Sequence, residues 1–162
     1  MSSKSTIRFE IDFTYQDFLL VANKGYLIIK EILEKNPNYY AGILCPLRGG
    51  FYFSDFLSRK LNLKLFFLSI TSYGNTKTQK DFQIDFYPEL QAKQRYLICD
   101  DIIATGNTIR KILSLYPNVE FETIALFKHK DRKYDFKHYA IREVPSFVWV
   151  NFFWETYDKL SF

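Results

Sequence analysis

The stretch YLICDDIIATGNT, residues 96–108, constrains this chain more than any other. Tyr96, Leu97, Ile98 and Cys99 form an unbroken apolar run that gives way to Asp100 and Asp101. Apolar residues in continuous succession suit a strand covered on both faces, as in a parallel sheet. Two carboxylates at the end of such a strand are costly unless a polar partner or a cation meets them. Thr105-Gly106-Asn107-Thr108 then leads into a segment of helical periodicity. Its backbone N–H groups, two hydroxyls and helix-dipole terminus make a cradle for an anion, best suited to phosphate. Asp100 and Asp101 are placed beside it to accept hydrogen bonds from sugar hydroxyls or to hold Mg²⁺, a hard cation that prefers oxygen ligands. A phosphate, a diol and a divalent cation together describe a sugar phosphate. Taken alone, the two acids fit a solvated strand end equally well.

The remaining chain repeats this plan. Residues 15–36 carry apolar positions at helical spacing, with Thr14 as cap and Asn36-Pro37 as stop. A buried strand is predicted over 39–45, followed by a glycine turn and a helix over 52–61. Further strands are predicted over 63–70, 95–100 and 119–127, with a helix from about 108 to 116. Strands and helices in alternation specify an α/β fold, a parallel central sheet of five-strand type flanked by helices. Such sheets bind ligands beyond the carboxyl ends of their strands, where the polar stretches of this chain fall. No repeat, low-complexity tract or linker divides the 162 residues, which read as a single domain.

With 48% apolar and 25% charged residues, the composition excludes a disordered chain. The 22 Lys and Arg are interleaved with 18 acids for a net charge of +4, so no basic face for nucleic acid stands out. A small anionic ligand fits that balance. Seventeen Phe and twelve Tyr imply a large core or buried subunit contacts, hence a homo-oligomer. Cys45 and Cys99 lack the spacing of a metal site or redox pair and read as buried thiols in a reducing compartment. The N-terminal MSSKSTIRFEIDF has no long apolar segment, so a cytoplasmic protein without integral membrane association is expected.

YLICDDIIATGNT resembles the phosphoribosyl diphosphate (PRPP) signature of type I phosphoribosyltransferases: four apolar residues, two acids, two apolar residues, any residue, then Thr-Gly-x-Thr. The resemblance gives Ala104, Thr105, Gly106, Asn107 and Thr108 to the 5-phosphate, and Asp100 and Asp101 to the ribose hydroxyls and metal. CPLRGGFYF (45–53) resembles the family's pyrophosphate loop, which assigns Leu47, Arg48, Gly49 and Gly50 to the leaving group. Gly49 and Gly50 would permit positive φ and close backbone approach, while Arg48 offers charge and donors to a diphosphate. The family's bond at Leu47–Arg48 is often cis, and the same is expected here. An Arg-Gly-Gly by itself is an ordinary turn. ITSYGNTKTQKD (70–81) is similar to the mobile loop of 6-oxopurine members, with Ser72 and Tyr73 touching pyrophosphate and residues 71–82 closing as a lid. FVWVNFFWE (147–155) looks like the base-binding tail of bacterial xanthine-guanine and hypoxanthine enzymes. There Trp149 would stack on the purine, the Val150 carbonyl would read its edge, and Glu155 would reach a second Mg²⁺. The implied architecture is the Rossmann-like fold of that family. Its core spans about 38–130, with a small hood from the N-terminal segment and about 131–162.

Two positions depart from the pattern. Where 6-oxopurine enzymes usually carry an aspartate near the purine N7, this chain has Ala104, which cannot accept a proton. The lysine that donates to the purine O6 falls on His129, with Lys128 one residue away. The resemblance therefore implies a Mg²⁺-dependent purine phosphoribosyltransferase of purine salvage. It would take PRPP and a 6-oxopurine and give nucleoside monophosphate and pyrophosphate, with Asp100, Asp101 and Arg48 at the reaction centre. An adenine enzyme, which shares Ala-Thr-Gly, and a non-catalytic PRPP or nucleotide sensor on the same fold stay open.

Overall fold

The computed structural model describes residues 9–73 and 81–155, with backbone alone at 72, 73 and 81. Eleven elements follow in chain order: β1 (Phe9–Phe13), α1 (Tyr15–Lys35), β2 (Gly42–Leu47), α2 (Phe51–Leu61), β3 (Leu65–Tyr73), β4 (Asp81–Phe86), β5 (Arg95–Ile103), α3 (Asn107–Leu115), β6 (Glu120–His129), β7 (His138–Val144) and β8 (Val148–Phe152). Six strands form one sheet in the order β4-β3-β2-β5-β6-β7. Five of them run parallel, and β4 is antiparallel to β3 at one edge. The expected doubly covered parallel sheet is thus present, and no described helix is long and apolar enough to cross a membrane.

The continuous apolar runs explain the layering. Successive residues of a strand point to opposite faces, so Ile43 and Leu97 join one core while Leu44 and Ile98 join the other. α1 and α2 cover the first face. Thr14 and Asp17 close a reciprocal capping box at the start of α1, and Phe18, Val21, Ala22, Gly25 and Ile29 form its buried stripe. α3 covers the second face through Ile109 and Ile112, packed with Leu44, Leu68 and Ile98.

The structure moves several boundaries. β2 begins at Gly42 and runs to Leu47, because Pro46 and Leu47 still pair with β3. β5 does not stop at the acids but continues to Ile103, its ladder to β6 carried past them by Ile102 and Ile103. The stretch 131–162, expected in the hood, contributes β7 to the main sheet. What stands apart is a two-stranded parallel sheet in which β1 pairs with β8, Phe9 opposite Val148 through Phe13 opposite Phe152.

At the amino ends of the parallel strands, β6 buries Glu122. Its Oε1 accepts from Tyr39 Oη (2.7 Å) and Lys137 Nζ (2.6 Å), and its Oε2 from Tyr40 Oη (2.6 Å) and Tyr139 Oη (3.1 Å). Burial alone would raise its pKa, but these donors outweigh burial and hold it below the ordinary glutamate value. A depressed carboxyl adds stability that is present above the unfolded-state value and lost as pH falls through the folded one. Glu122→Gln should therefore cost about 3 kcal/mol near neutral pH and flatten the loss of stability on acidification, as denaturant titrations at pH 7 and pH 4 would record. Equal slopes for both proteins would remove Glu122 from this role.

Candidate active site

A cleft of about 810 Å³ opens at the carboxyl ends of β2, β3 and β5. Its floor is β5, where Asp100 and Asp101 sit half-buried. The Asp101 N–H donates to Asp100 Oδ1 (3.0 Å), and the Ile102 N–H donates to Asp101 Oδ1 (2.7 Å). Burial, and then the neighbouring Asp101 charge, raises the Asp100 carboxyl well above the usual range. Burial also lifts Asp101, to about 6, with Glu155 adding to the rise against the Ile102 hydrogen bond. Among the described residues nothing positive neutralises this pair, so the site is prepared for a cation or for hydroxyl donors.

The β2–α2 loop forms one wall. The Leu47–Arg48 peptide is cis, as expected, and Arg48 is exposed at the rim. The two glycines serve close approach rather than positive φ, since Gly106 alone among the described glycines has positive φ. A Cβ on Gly49 would lie 2.5 Å from Asp101 Oδ2, and one on Gly50 would lie 2.4 Å from the Cys99 carbonyl oxygen. The loop is therefore laid directly on β5, with no room for a methyl group. Cys45 and Cys99 are buried free thiols beneath it, and burial pushes both pKa values up, that of Cys45 to about 11.

The phosphate turn is arranged slightly differently from expectation. Gly106, at φ +80°, is the residue that caps α3, while Asn107 and Thr108 already lie in its first turn. Thr105 Oγ1 accepts from the Asn107 N–H at 3.3 Å, and Thr108 faces the cleft. Ser72 and Tyr73 end β3, but their side chains and the segment 74–80 of the expected lid lie outside the described residues.

A second cavity of about 270 Å³ adjoins the cleft and shares Asp101, Ile102 and Glu155 with it. His129, Trp149 and Val150, expected at the base, line it together with Ala104, expected at the phosphate turn. Trp149 is half exposed, whereas the Val150 side chain is buried in the core. Lys128 departs from expectation. Its Nζ pairs with Glu143 Oε1 on β7 at 2.9 Å, and it does not line the cavity. Side chains alternate along β6, so only one of two consecutive residues can face the base. Burial, with Arg132 nearby, keeps the His129 pKa below its ordinary value, and its Nδ1 is buried without a hydrogen-bond partner.

Glu155 ends a short turn after β8, and its Oε2 accepts from the Phe152 N–H at 3.4 Å. Among the described residues no three His, Cys, Asp or Glu side chains converge to hold a metal by themselves. The sequence reading missed the residues that hold this turn in place. Trp154 stacks between Tyr52 (4.9 Å, 12°) and Phe152 (4.7 Å, 12°), which ties the base-side strand to the start of α2. The aromatic density of FVWVNFFWE was the available signal.

A glycine loop, an anion-binding turn and paired acids at the carboxyl end of a parallel sheet define an α/β enzyme of sugar phosphates. The phosphoribosyl transferase domain matches residues 19–159, and the chain belongs to that family of phosphoribosyltransferases. It is similar to the xanthine-guanine phosphoribosyltransferase of Idiomarina loihiensis, 25% identical over 118 residues that cover 72% of this chain and 71% of that one. Among solved structures it resembles the Helicobacter pylori xanthine-guanine-hypoxanthine phosphoribosyltransferase, with a TM-score of 0.72, 24% identity, and coverage of 93% of this chain and 96% of that one. A purine phosphoribosyltransferase from Pyrococcus horikoshii also resembles it, with a TM-score of 0.70, 17% identity, and coverage of 90% and 93%.

The two loop glycines should separate stability from activity. Gly50→Ala meets a backbone carbonyl that cannot yield, and should cost about 2 kcal/mol or more in thermal unfolding. Gly49→Ala meets a side chain that can rotate away, so its melting should change little while displacement of Asp101 lowers pyrophosphate release from PRPP at least tenfold. Full activity in Gly49→Ala would show that the position of Asp101 is immaterial.

Proposed function

We propose that this enzyme transfers the 5-phosphoribosyl group of PRPP to a 6-oxopurine, releasing pyrophosphate, in purine salvage. The observation that carries the proposal is the meeting of two cavities at Asp101, Ile102 and Glu155. A larger polar cleft beside the phosphate turn and the Arg48 loop suits PRPP. A smaller cavity with Trp149 and His129 suits a planar base. Bound in that order, the base nitrogen and the ribose C1 face each other where the cavities join.

The chain's own groups then have defined tasks. Asp100 and Asp101 accept from the ribose hydroxyls and stabilise positive charge as the C1–oxygen bond breaks through an oxocarbenium-like transition state. The 47–50 loop holds the leaving pyrophosphate. The donor set fits Mg²⁺: Asp101 and Glu155 are oxygen ligands without a countercharge among the described residues, and substrate oxygens and water would complete the shell. When bound, the ion neutralises charge on the diphosphate and makes it a better leaving group.

His129 favours the 6-oxo reading over adenine. It is neutral at pH 7, and a neutral imidazole carries one proton. A proton on the buried Nδ1 would be a stranded donor, so we assign it to Nε2, which can donate to a carbonyl oxygen. Pyrophosphate release should therefore be faster with hypoxanthine, guanine or xanthine than with adenine. His129→Leu should lower the 6-oxopurine rate by about tenfold without improving adenine. Adenine as the preferred base would overturn the substrate assignment, and no turnover with PRPP bound would favour a sensor.

A proton and Mg²⁺ compete for Asp101. Its carboxyl is raised to about 6, so the ion must displace a proton at lower pH. The Mg²⁺ concentration for half activity should fall by about tenfold for each pH unit approaching 6 from below, then level off. A Mg²⁺ requirement independent of pH would place the ion elsewhere.

A further inference from the structure

We infer that Tyr134 and Arg110 are positioning residues for the phosphate turn, aiming its backbone N–H groups by holding its carbonyls from behind. The inference rests on the PRPP reading of that turn. The Tyr134 hydroxyl lies 2.8 Å from the Ile103 carbonyl oxygen and 2.9 Å from that of Ala104. It also lies 3.4 Å from the His129 carbonyl oxygen at the end of β6. Arg110 Nη1 donates to the Thr105 carbonyl at 3.1 Å and to Asn107 Oδ1 at 3.2 Å, while its Nε donates to Asp135 Oδ1 at 2.8 Å. The one Tyr134 proton is shared between the carbonyls of 103 and 104 and Arg110 holds that of 105, so three successive carbonyls are gathered on one side of the turn.

The peptide geometry turns this into a statement about the other side. In a trans peptide the C=O and the following N–H point in opposite directions. The bonds after residues 103, 104 and 105 are trans. Anchoring those three carbonyls outward therefore directs the N–H groups of Ala104, Thr105 and Gly106 away from the clamp. Those of Thr105 and Gly106 donate to no acceptor among the described residues. Convergent, unsatisfied N–H groups make an anion nest.

Packing fixes the clamp as firmly as its hydrogen bonds do. A Cβ on Gly106 would lie 3.0 Å from the Phe136 ring, 3.1 Å from the Tyr134 ring and 3.3 Å from Arg110 Nη1. The β6–β7 loop is therefore laid against the turn at its one positive-φ residue. Without the clamp, the turn must be ordered by the ligand itself, and affinity falls by the cost of that ordering. The reacting centre at Asp100 and Asp101 is not touched, so the effect belongs in binding of the phosphate and not in the chemical step.

Tyr134→Phe keeps the ring against Gly106 and removes the hydroxyl. It should raise KM for PRPP by about tenfold and leave kcat at saturating PRPP within about twofold of wild type. Calorimetry should give the same loss for ribose 5-phosphate and none for pyrophosphate, which uses the Arg48 loop. Arg110→Met should reproduce this pattern, and melting temperatures identify any variant that is merely unfolded. Unchanged ribose 5-phosphate affinity in both variants, or equal losses for ribose 5-phosphate and pyrophosphate, would overturn the inference. A wild-type protein that takes inorganic phosphate but not PRPP, with phosphate affinity lowered in Tyr134→Phe, would retain the clamp and refute the transfer reading. A wild type that binds neither would end both.

Discussion

The sheet holds carboxylates at both of its ends, buried at one and half-buried at the other, and it treats them in opposite ways. At the amino ends, Glu122 receives donors from Tyr39, Tyr40, Lys137 and Tyr139, and its charge is stabilised below the ordinary pKa. At the carboxyl ends, Asp100 and Asp101 face one another and Glu155, and their charges are destabilised. The first arrangement is complete without a ligand. The second is not, and the free energy it withholds from folding is available to whatever cation or hydroxyl groups arrive.

The other parts of the site are arranged around that incomplete pair. The 47–50 loop approaches so closely that Gly49 and Gly50 leave no space for a side chain. The phosphate turn follows β5 directly, and the Tyr52–Trp154–Phe152 stack brings Glu155 back to the acids from the far end of the chain. Three separate backbone segments therefore converge on one strand end, the 47–50 loop packed directly against Asp101 and the Cys99 carbonyl. Groups held in place by such packing need little reorganisation as charge develops.

Much of this was legible in the sequence, because unbroken apolar runs and glycine-bearing turns report local structure. YLICDDIIATGNT announced its strand, its turn and its helix, and the cis Leu47–Arg48 bond was expected, though Gly49 and Gly50 serve close approach rather than positive φ. Three kinds of feature were hidden. β5 extends to Ile103 because β6 pairs with it there, which no local pattern announces. β7 reads as a mixed segment because an edge strand buries only part of its surface, and its residues HYAIREV carry little apolar periodicity. The choice between Lys128 and His129 depended on side-chain alternation along β6, and hence on a register fixed by its neighbours. Tyr134 was invisible for a related reason: it meets carbonyls 31 and 30 residues away, which leaves no spacing signature in a single sequence, and Arg110 reads as an ordinary polar position of α3.

The pairing of β1 with β8 joins residues 9–13 to residues 148–152, almost the full length of the described chain. β8 carries Trp149 and Val150, so one wall of the smaller cavity is secured by the most distant strand pairing among the described residues. The phosphate turn and the paired acids, by contrast, come from neighbouring residues of a single strand and helix. Closing distant segments is entropically the slower event. Among the described elements β1 precedes every other in the chain, and its partner β8 follows all of them. The acids and the turn after β5 therefore need only local closure, whereas the wall carrying Trp149 and Val150 needs the chain's distant segments to meet.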